Sequence, residues 1–215
     1  MKALVKRPLG TSGLQITQVG FGAWAIGGGR WAYGWGSQDD AASIAAIQHA
    51  IARGINWVDT AAIYGLGHSE EVVGRALREI PAAERSYVFT KGGMVPDAAR
   101  PFDEPQRNLR PDSIRKEVEA SLRRLRVERI DLYQFHWPDA IGTPVEDSWG
   151  ELARLIDEGK VRAGGGSNFD VELLERAERI RHIDSLQPPF SLIRRRRPRV
   201  PARPSRWTAG SPPGA

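Results

Sequence analysis

A chain of 215 residues, 40% apolar and 27% charged, is long enough to bury one sizeable core and has the composition of an ordinary folded protein. With no cysteine, it can hold neither a disulfide framework nor thiolate chemistry. The formal charge of +5 does not mark the main domain as a nucleic-acid binder: Arg194, Arg195, Arg196, Arg197, Arg199, Arg203 and Arg206 share a terminal segment without an acid, and removing these seven leaves −2 for everything before them.

Met1 to Pro8 lacks the apolar run of a secretory signal, and no apolar stretch is long enough to span a bilayer, so a cytoplasmic location without a membrane partner is expected. Leu4 to Thr17 then reads as a hairpin turning at Gly10-Thr11-Ser12-Gly13. Gln18 to Trp24 is a short strand running into a Gly- and Trp-rich loop, Gly27 to Gly36. Gly20-x-Gly22-x-x-Ala25 imitates a dinucleotide fingerprint, with Asp39 and Asp40 about 20 residues on. It opens a loop and not a helix, and the two aspartates fall in a helix's first turn, so a Rossmann fold is rejected.

Ser37 is placed to cap that helix, Ile44, Ile47 and Ile51 form its apolar face, and Gly54 ends it. The β-prone run Ile55, Trp57, Val58 stops at Asp59, with Tyr64 in a following loop closed by Gly65 and Gly67. A second helix starts near Ser69 and turns Val72, Val73, Ala76 and Leu77 inward. Tyr87 to Gly93 is an apolar strand ending in Lys91 and glycines, and Pro111 opens a helix faced by Ile114, Val118, Leu122 and Leu125. The strand Ile130 to His136 is broken by Pro138. Thr143-Pro144-Val145-Glu146 reads as a capping box with proline at N1, for a helix carrying Trp149, Leu152 and Ile156 inward and ending at Gly159. Lys160 to Ala163 leads to Gly164-Gly165-Gly166-Ser167-Asn168, Asp170 caps another helix, and Asp184 to Gln187 opens a further strand. Such alternation, with strands apolar enough to be buried on both faces, means a parallel sheet; the leading hairpin points to an α/β barrel.

Four strands end in polar residues: Asp59 (with Tyr64 just beyond), Lys91, His136 and Asn168 (with Ser167). The C-terminal ends of its strands are where an α/β barrel keeps its chemistry. Each residue alone has a structural explanation: a capped turn, a snorkelling lysine, a satisfied core histidine, a packed tyrosine with a wet tip. Together they make one machine. A phenol, with a pKa of about 10 in free peptides, is a poor acid; a neighbouring ammonium lowers that value, and a carboxylate behind the ammonium holds it charged. A histidine nearby orients a carbonyl oxygen toward the phenol. Such general-acid help is worth about 10²–10⁴ in rate. The side chains offer no hydride, so a nicotinamide cofactor has to bring it.

From the hairpin to about Arg195 the chain resembles the aldo-keto reductases. The resemblance is carried by Gly54-Ile55-Asn56-Trp57-Val58-Asp59-Thr60-Ala61, Tyr64-Gly65, Lys91-Gly92, and Asp131-Leu132-Tyr133-Gln134 with His136-Trp137-Pro138. It continues through Gly159-Lys160-Val161-Arg162, Ser167-Asn168-Phe169 and Gln187-Pro188-Pro189-Phe190-Ser191. It implies a (β/α)8 barrel of the TIM type and NADPH-dependent reduction of aldehydes or ketones, with Tyr64 as acid and Lys91, Asp59 and His136 in the roles above. It also implies that Ser167, Asn168 and Gln187 hold the nicotinamide carboxamide and that Gly22 and Ala23 lie against the cofactor. Trp24 and Trp137 would line the pocket of a small carbonyl substrate, and no metal is implied.

Two departures from the family stand out. Three consecutive glycines, Gly164 to Gly166, lose packing and cost backbone entropy, which predicts a weak strand. After Ser191-Leu192-Ile193 the pattern stops: residues 194–215 read as a disordered Arg- and Pro-rich tail, unrelated to the family or out of frame. Residues 1–193 then hold about six of the barrel's eight βα units, without the later aromatic that stacks on the nicotinamide or the segment that binds the 2′-phosphate. An open barrel exposes edges and core, so a weakly stable, catalytically impaired chain is expected. Competing readings are a non-catalytic cofactor- or protein-binding module of the same fold and, less favoured, nucleic-acid binding through the tail, whose only aromatic is Trp207. A metal-dependent hydrolase fares worse, because His49, His68, His136 and His182 lack paired ligand spacing.

Overall fold

The computed structural model describes residues 4–29 and 31–189. The turn residues form the expected hairpin: β1 (Lys6–Pro8) and β2 (Gln15–Thr17) pair antiparallel, Lys6 opposite Thr17. The next strand, β3 (Phe21–Gly22), is shorter than the apolar run suggests. Gly20 before it is required by packing, since a Cβ there would enter the Trp57 indole.

Helix α1 (Asp40–Ala52) is capped by Asp39, whose Oδ1 accepts from the Ala41 and Ala42 amides at 2.8 and 3.2 Å; the cap expected at Ser37 lies two residues later. A carboxylate also meets the positive end of the helix, which a serine does not. β4 (Trp57–Asp59) and α2 (His68–Arg78) follow, then β5 (Tyr87–Gly92) and a small antiparallel ribbon of β6 (Met94–Val95) and β7 (Gln106–Arg107). α3 (Pro111–Leu125) starts at its proline as expected, and β8 (Ile130–Phe135) ends one residue before His136. α4 (Val145–Asp157) departs from the expected capping box: Pro144 is the N-cap, and no side chain caps the helix. The Thr143 amide is instead held by Asp139 Oδ2 at 2.8 Å, which fixes the loop ahead of the helix.

The glycine triplet does not interrupt β9 (Val161–Ser167), the longest strand, which is paired on both sides. Neighbours fill the space that glycine leaves: a Cβ at Gly164 would lie 3.1 Å from Leu152 Cδ2, and one at Gly166 would lie 3.0 Å from the Phe169 ring. Asp170 caps α5 (Val171–Glu178) through the Leu173 amide at 2.9 Å, and β10 (Ser185–Gln187) is the last element described. The tail expected over residues 194–215, with Phe190 and Ser191 of the last motif, lies outside the described residues.

Six parallel strands run in the order β3-β4-β5-β8-β9-β10, curled into an incomplete (β/α)8-type barrel. Three apolar layers stack along it. The largest lies between sheet and helices, around Val58, Val73, Ile114, Tyr133, Phe135 and Leu152. A second fills the barrel near its N-terminal end: Phe89, Leu132 and Ala163 meet Leu14 of the hairpin, which plugs the floor. Asn56 and Trp57 tie that plug down, Asn56 Oδ1 accepting from the Thr17 amide at 2.8 Å and Trp57 Nε1 donating to Thr17 O at 2.8 Å. The third layer, Trp31, Ala61, Ile63 and Met94, sits at the opposite mouth.

Candidate functional site

Alternation along the strands decides which side chains reach the interior. In β4, Val58 packs toward the helices, so Trp57 and Asp59 face inward. In β5, Val88 and Thr90 face the helices, Thr90 donating to Glu70 of α2 at 2.6 Å, so Phe89 and Lys91 face inward. By the same parity Leu132 and Gln134 of β8, Ala163 and Ser167 of β9, and Gln187 of β10 look into the barrel. The register sets Gly22 beside Asp59, Lys91 beside Gln134 and Ser167 beside Gln187, all at the C-terminal mouth.

Lys91 is only 2% exposed and donates to Asp59 Oδ2 at 2.6 Å and to the Thr60 carbonyl at 3.0 Å. Tyr64 reaches this pair from the loop after β4. That loop continues the sheet pairing, Ala62 N–H to Lys91 O at 2.9 Å, and then abuts the aromatic loop, where a Cβ on Gly27 would lie 2.7 Å from Gly65 N. Gly65 itself has φ +61°, a conformation glycine adopts without strain. The Lys91 Nζ lies 5.4 Å from the Tyr64 ring centroid, and the His136 ring stands edge-on to Tyr64 at 5.6 Å. All four residues named from sequence therefore converge on one mouth.

Their electrostatics differ from expectation in one respect. Burial pushes the Tyr64 phenol above its ordinary value; the Lys91 charge and hydrogen bonding pull it down, Asp59 pushes it up again, and the balance stays raised. The ammonium lowers this pKa as expected, but burial, which charge counting leaves out, outweighs it and sets the net direction. Burial, followed by the Lys91 charge, pulls the His136 imidazole down to about 3, so it is neutral at physiological pH. Its Nδ1 is buried and has no hydrogen-bond partner among the described residues.

A test follows from the sign of that shift. Below the ordinary value of about 6.5 the unfolded chain takes up a proton that folded His136 refuses. Its contribution to stability is complete above that pH and is lost as pH falls toward about 3. Glu117, pushed up to about 7 chiefly by burial, works in the opposite direction, so the comparison is between variant and wild type. His136→Asn should lose about 2 kcal/mol less than wild type between pH 6.5 and 5 in urea unfolding. A pH-independent difference between the two proteins would show that the imidazole titrates normally.

The residues expected to grip a carboxamide also gather. Asn168, with φ +61°, donates from Nδ2 to His136 O at 3.0 Å and to Ser167 Oγ at 3.1 Å, while Ser167 Oγ donates to Gln187 O at 3.1 Å. Asn168 Oδ1 and the Gln187 side-chain amide keep no hydrogen-bond partner among the described residues, leaving an acceptor and a donor–acceptor pair uncommitted. This donor set fits the carboxamide of a nicotinamide. Gly22, on β3 at the opposite edge of the sheet, is exposed, whereas Ala23 is buried, its N–H donating to Asp59 O at 2.8 Å and its C=O accepting from Ser69 Oγ at 2.7 Å.

Trp24 is 42% exposed and stacks on Tyr64 at 6.3 Å, and Trp137 packs on the mouth layer beneath the Arg107 guanidinium. Three neighbours escaped the sequence reading: buried Trp31, 5.6 Å from Tyr64; buried Gln134, whose Oε1 has no partner among the described residues; and Arg107. Trp31 sits in a loop without periodicity, while Gln134 was within reach as an inward-parity neighbour of Lys91. Among the described residues no group of His, Asp and Glu gathers to hold a metal, and no helix is long and apolar enough to cross a membrane.

The profile of the aldo/keto reductase family matches residues 18–201. The NADH-specific methylglyoxal reductase of Escherichia coli (strain K12) is 37% identical over 199 residues, covering 88% of this chain and 60% of that protein. The glycerol dehydrogenase AKR11B4 of Gluconobacter oxydans superposes with a TM-score of 0.79 at 44% identity, over 91% of this chain and 57% of that one. An aldo-keto reductase from Klebsiella pneumoniae, solved in complex with NADPH, superposes with a TM-score of 0.61 at 26% identity, over 83% of this chain and 54% of that one. The chain thus spans between about half and three-fifths of the length of the curated relatives it matches.

Proposed function

The chain belongs to the aldo/keto reductase family, and from that premise we propose that it reduces small aldehydes or ketones to alcohols with NADPH. The observation that carries this reading is the buried Lys91–Asp59 pair, joined at 2.6 Å beneath the Tyr64 ring. When bound, the cofactor supplies the hydride that reduces the carbonyl carbon by two electrons. Tyr64 donates its proton to the carbonyl oxygen. A phenol held above its ordinary pKa is fully protonated at neutral pH, as a donor must be. As charge builds on the phenolic oxygen, the Lys91 ammonium stabilises it, and Asp59 keeps that ammonium in place. Neutral His136 carries its proton on Nε2 in this scheme and directs it at the same carbonyl oxygen. Asn168 Oδ1, Ser167 and the Gln187 amide orient the nicotinamide ring.

NADPH is favoured by the family resemblance and by the Klebsiella complex, while the E. coli relative is named for NADH. β3 and β10 have no outer neighbour among the described residues, so weak cofactor affinity and turnover below that of the longer relatives are expected. The test is oxidation of NADPH and, separately, NADH by the purified chain with methylglyoxal, followed by loss of reduced-nicotinamide absorbance. Carbonyl-dependent oxidation, even slow, supports the reading. Cofactor binding without any turnover would favour a non-catalytic module of the same fold.

A further inference from the structure

Among the described residues a cation at the mouth, Arg107, is left uncommitted. β6 and β7 form a ribbon that springs from the end of β5, with Met94 opposite Arg107. Met94 belongs to the mouth layer on which Tyr64 and Trp137 also pack. The Arg107 guanidinium carbon lies 4.3 Å from the centroid of the Trp137 ring, and its charge reaches Tyr33 of the aromatic loop, where the Glu104 carboxylate acts more strongly. The ribbon thus carries a guanidinium over the aromatic collar around Tyr64.

Among the described residues this side chain comes within 4.0 Å of no carboxylate and makes no hydrogen bond, although it is half-buried. Arginines on the outer faces behave differently: Arg115, Arg124 and Arg176 each bind a glutamate. The other cation at the mouth, Lys91, is committed to Asp59. A guanidinium resting one face on an indole keeps its rim of N–H donors free, and that planar fork matches a carboxylate edge to edge. A doubly charged phosphate would call for more than one guanidinium.

We propose that Arg107 is the specificity-determining residue of the substrate site and selects carbonyl compounds that also carry a carboxylate. The proposal rests on the reductase reading above. Aromatic walls suit a flat substrate body, so the probes are 4-carboxybenzaldehyde and its uncharged isostere 4-carbamoylbenzaldehyde. The wild-type chain should prefer the carboxylate by about tenfold in kcat/KM. The preference should sit in KM and shrink as salt is added. In Arg107→Gln the ratio should fall to near one, and Arg107→Lys should restore part of it. Equal use of the two aldehydes by wild type, or an undiminished ratio in Arg107→Gln, would overturn the proposal. If neither aldehyde turns over, the reductase reading fails separately. Tryptophan fluorescence titrated with the same compounds then decides: tighter binding of the carboxylate, lost in Arg107→Gln, supports the subsite, and equal binding refutes it.

Discussion

Tyr64→Phe should lower carbonyl-dependent NADPH oxidation by about 10²–10⁴-fold, the usual worth of a general acid. The substitution removes one oxygen and keeps the ring. The contacts with His136 at 5.6 Å, Trp31 at 5.6 Å and Trp24 at 6.3 Å are ring contacts, so the collar should hold. Loss of the hydroxyl also spares the protein a buried phenol. The variant should therefore unfold at the same or slightly higher denaturant, bind NADPH as wild type does, and fail in the chemical step. The loss belongs in kcat. A variant that kept more than a tenth of wild-type turnover would remove Tyr64 from the acid role and leave the proton to another donor.

The second large effect is on stability. Asp59→Ala strips Lys91 of its partner at 2.6 Å and leaves the ammonium, 2% exposed, with the Thr60 carbonyl at 3.0 Å alone. Removing one member of a buried pair costs about 3–5 kcal/mol, because the other charge stays in a poor dielectric. A domain has only about 5–15 kcal/mol in total. Urea unfolding should show the midpoint falling with an unchanged slope. Asp59→Asn, which keeps one oxygen for Lys91, should lose less. A cost below about 1 kcal/mol would mean that water reaches the ammonium and that the pair behaves like a surface ion pair.

The strand ends were legible because each apolar run stops on a polar residue, and the period of two then assigns that residue to the interior without further information. Asp59 and Lys91 are of this kind, whereas Gln187 was named only through the family resemblance. Helix starts were legible where proline or aspartate leaves one choice, as at Pro111 and Asp170, and misread where two good caps stand close, as with Ser37 and Asp39. There a long-range contact decides: Asp40, the first helical residue, is held by Arg75 at 2.7 Å and His68 at 2.8 Å from α2. The glycine triplet was read as a weakness because a sequence shows the missing side chain and not the Leu152 and Phe169 that occupy its place. The sign of the Tyr64 shift was missed for a related reason. Charges can be counted along a chain, but depth below the surface cannot.

The inward parity of β4, β5 and β9 also governs how this chain can drift in length. One residue inserted between Phe89 and Thr90 would swing the ammonium out among the helices and bring the Thr90 hydroxyl to the mouth, while Glu70 behind the sheet would lose its partner. The long polar loop from Asp97 to Pro105 carries no such constraint. Insertions and deletions should therefore accumulate in the loops, whereas strands β5 and β9 should keep their residue count even as their apolar letters change.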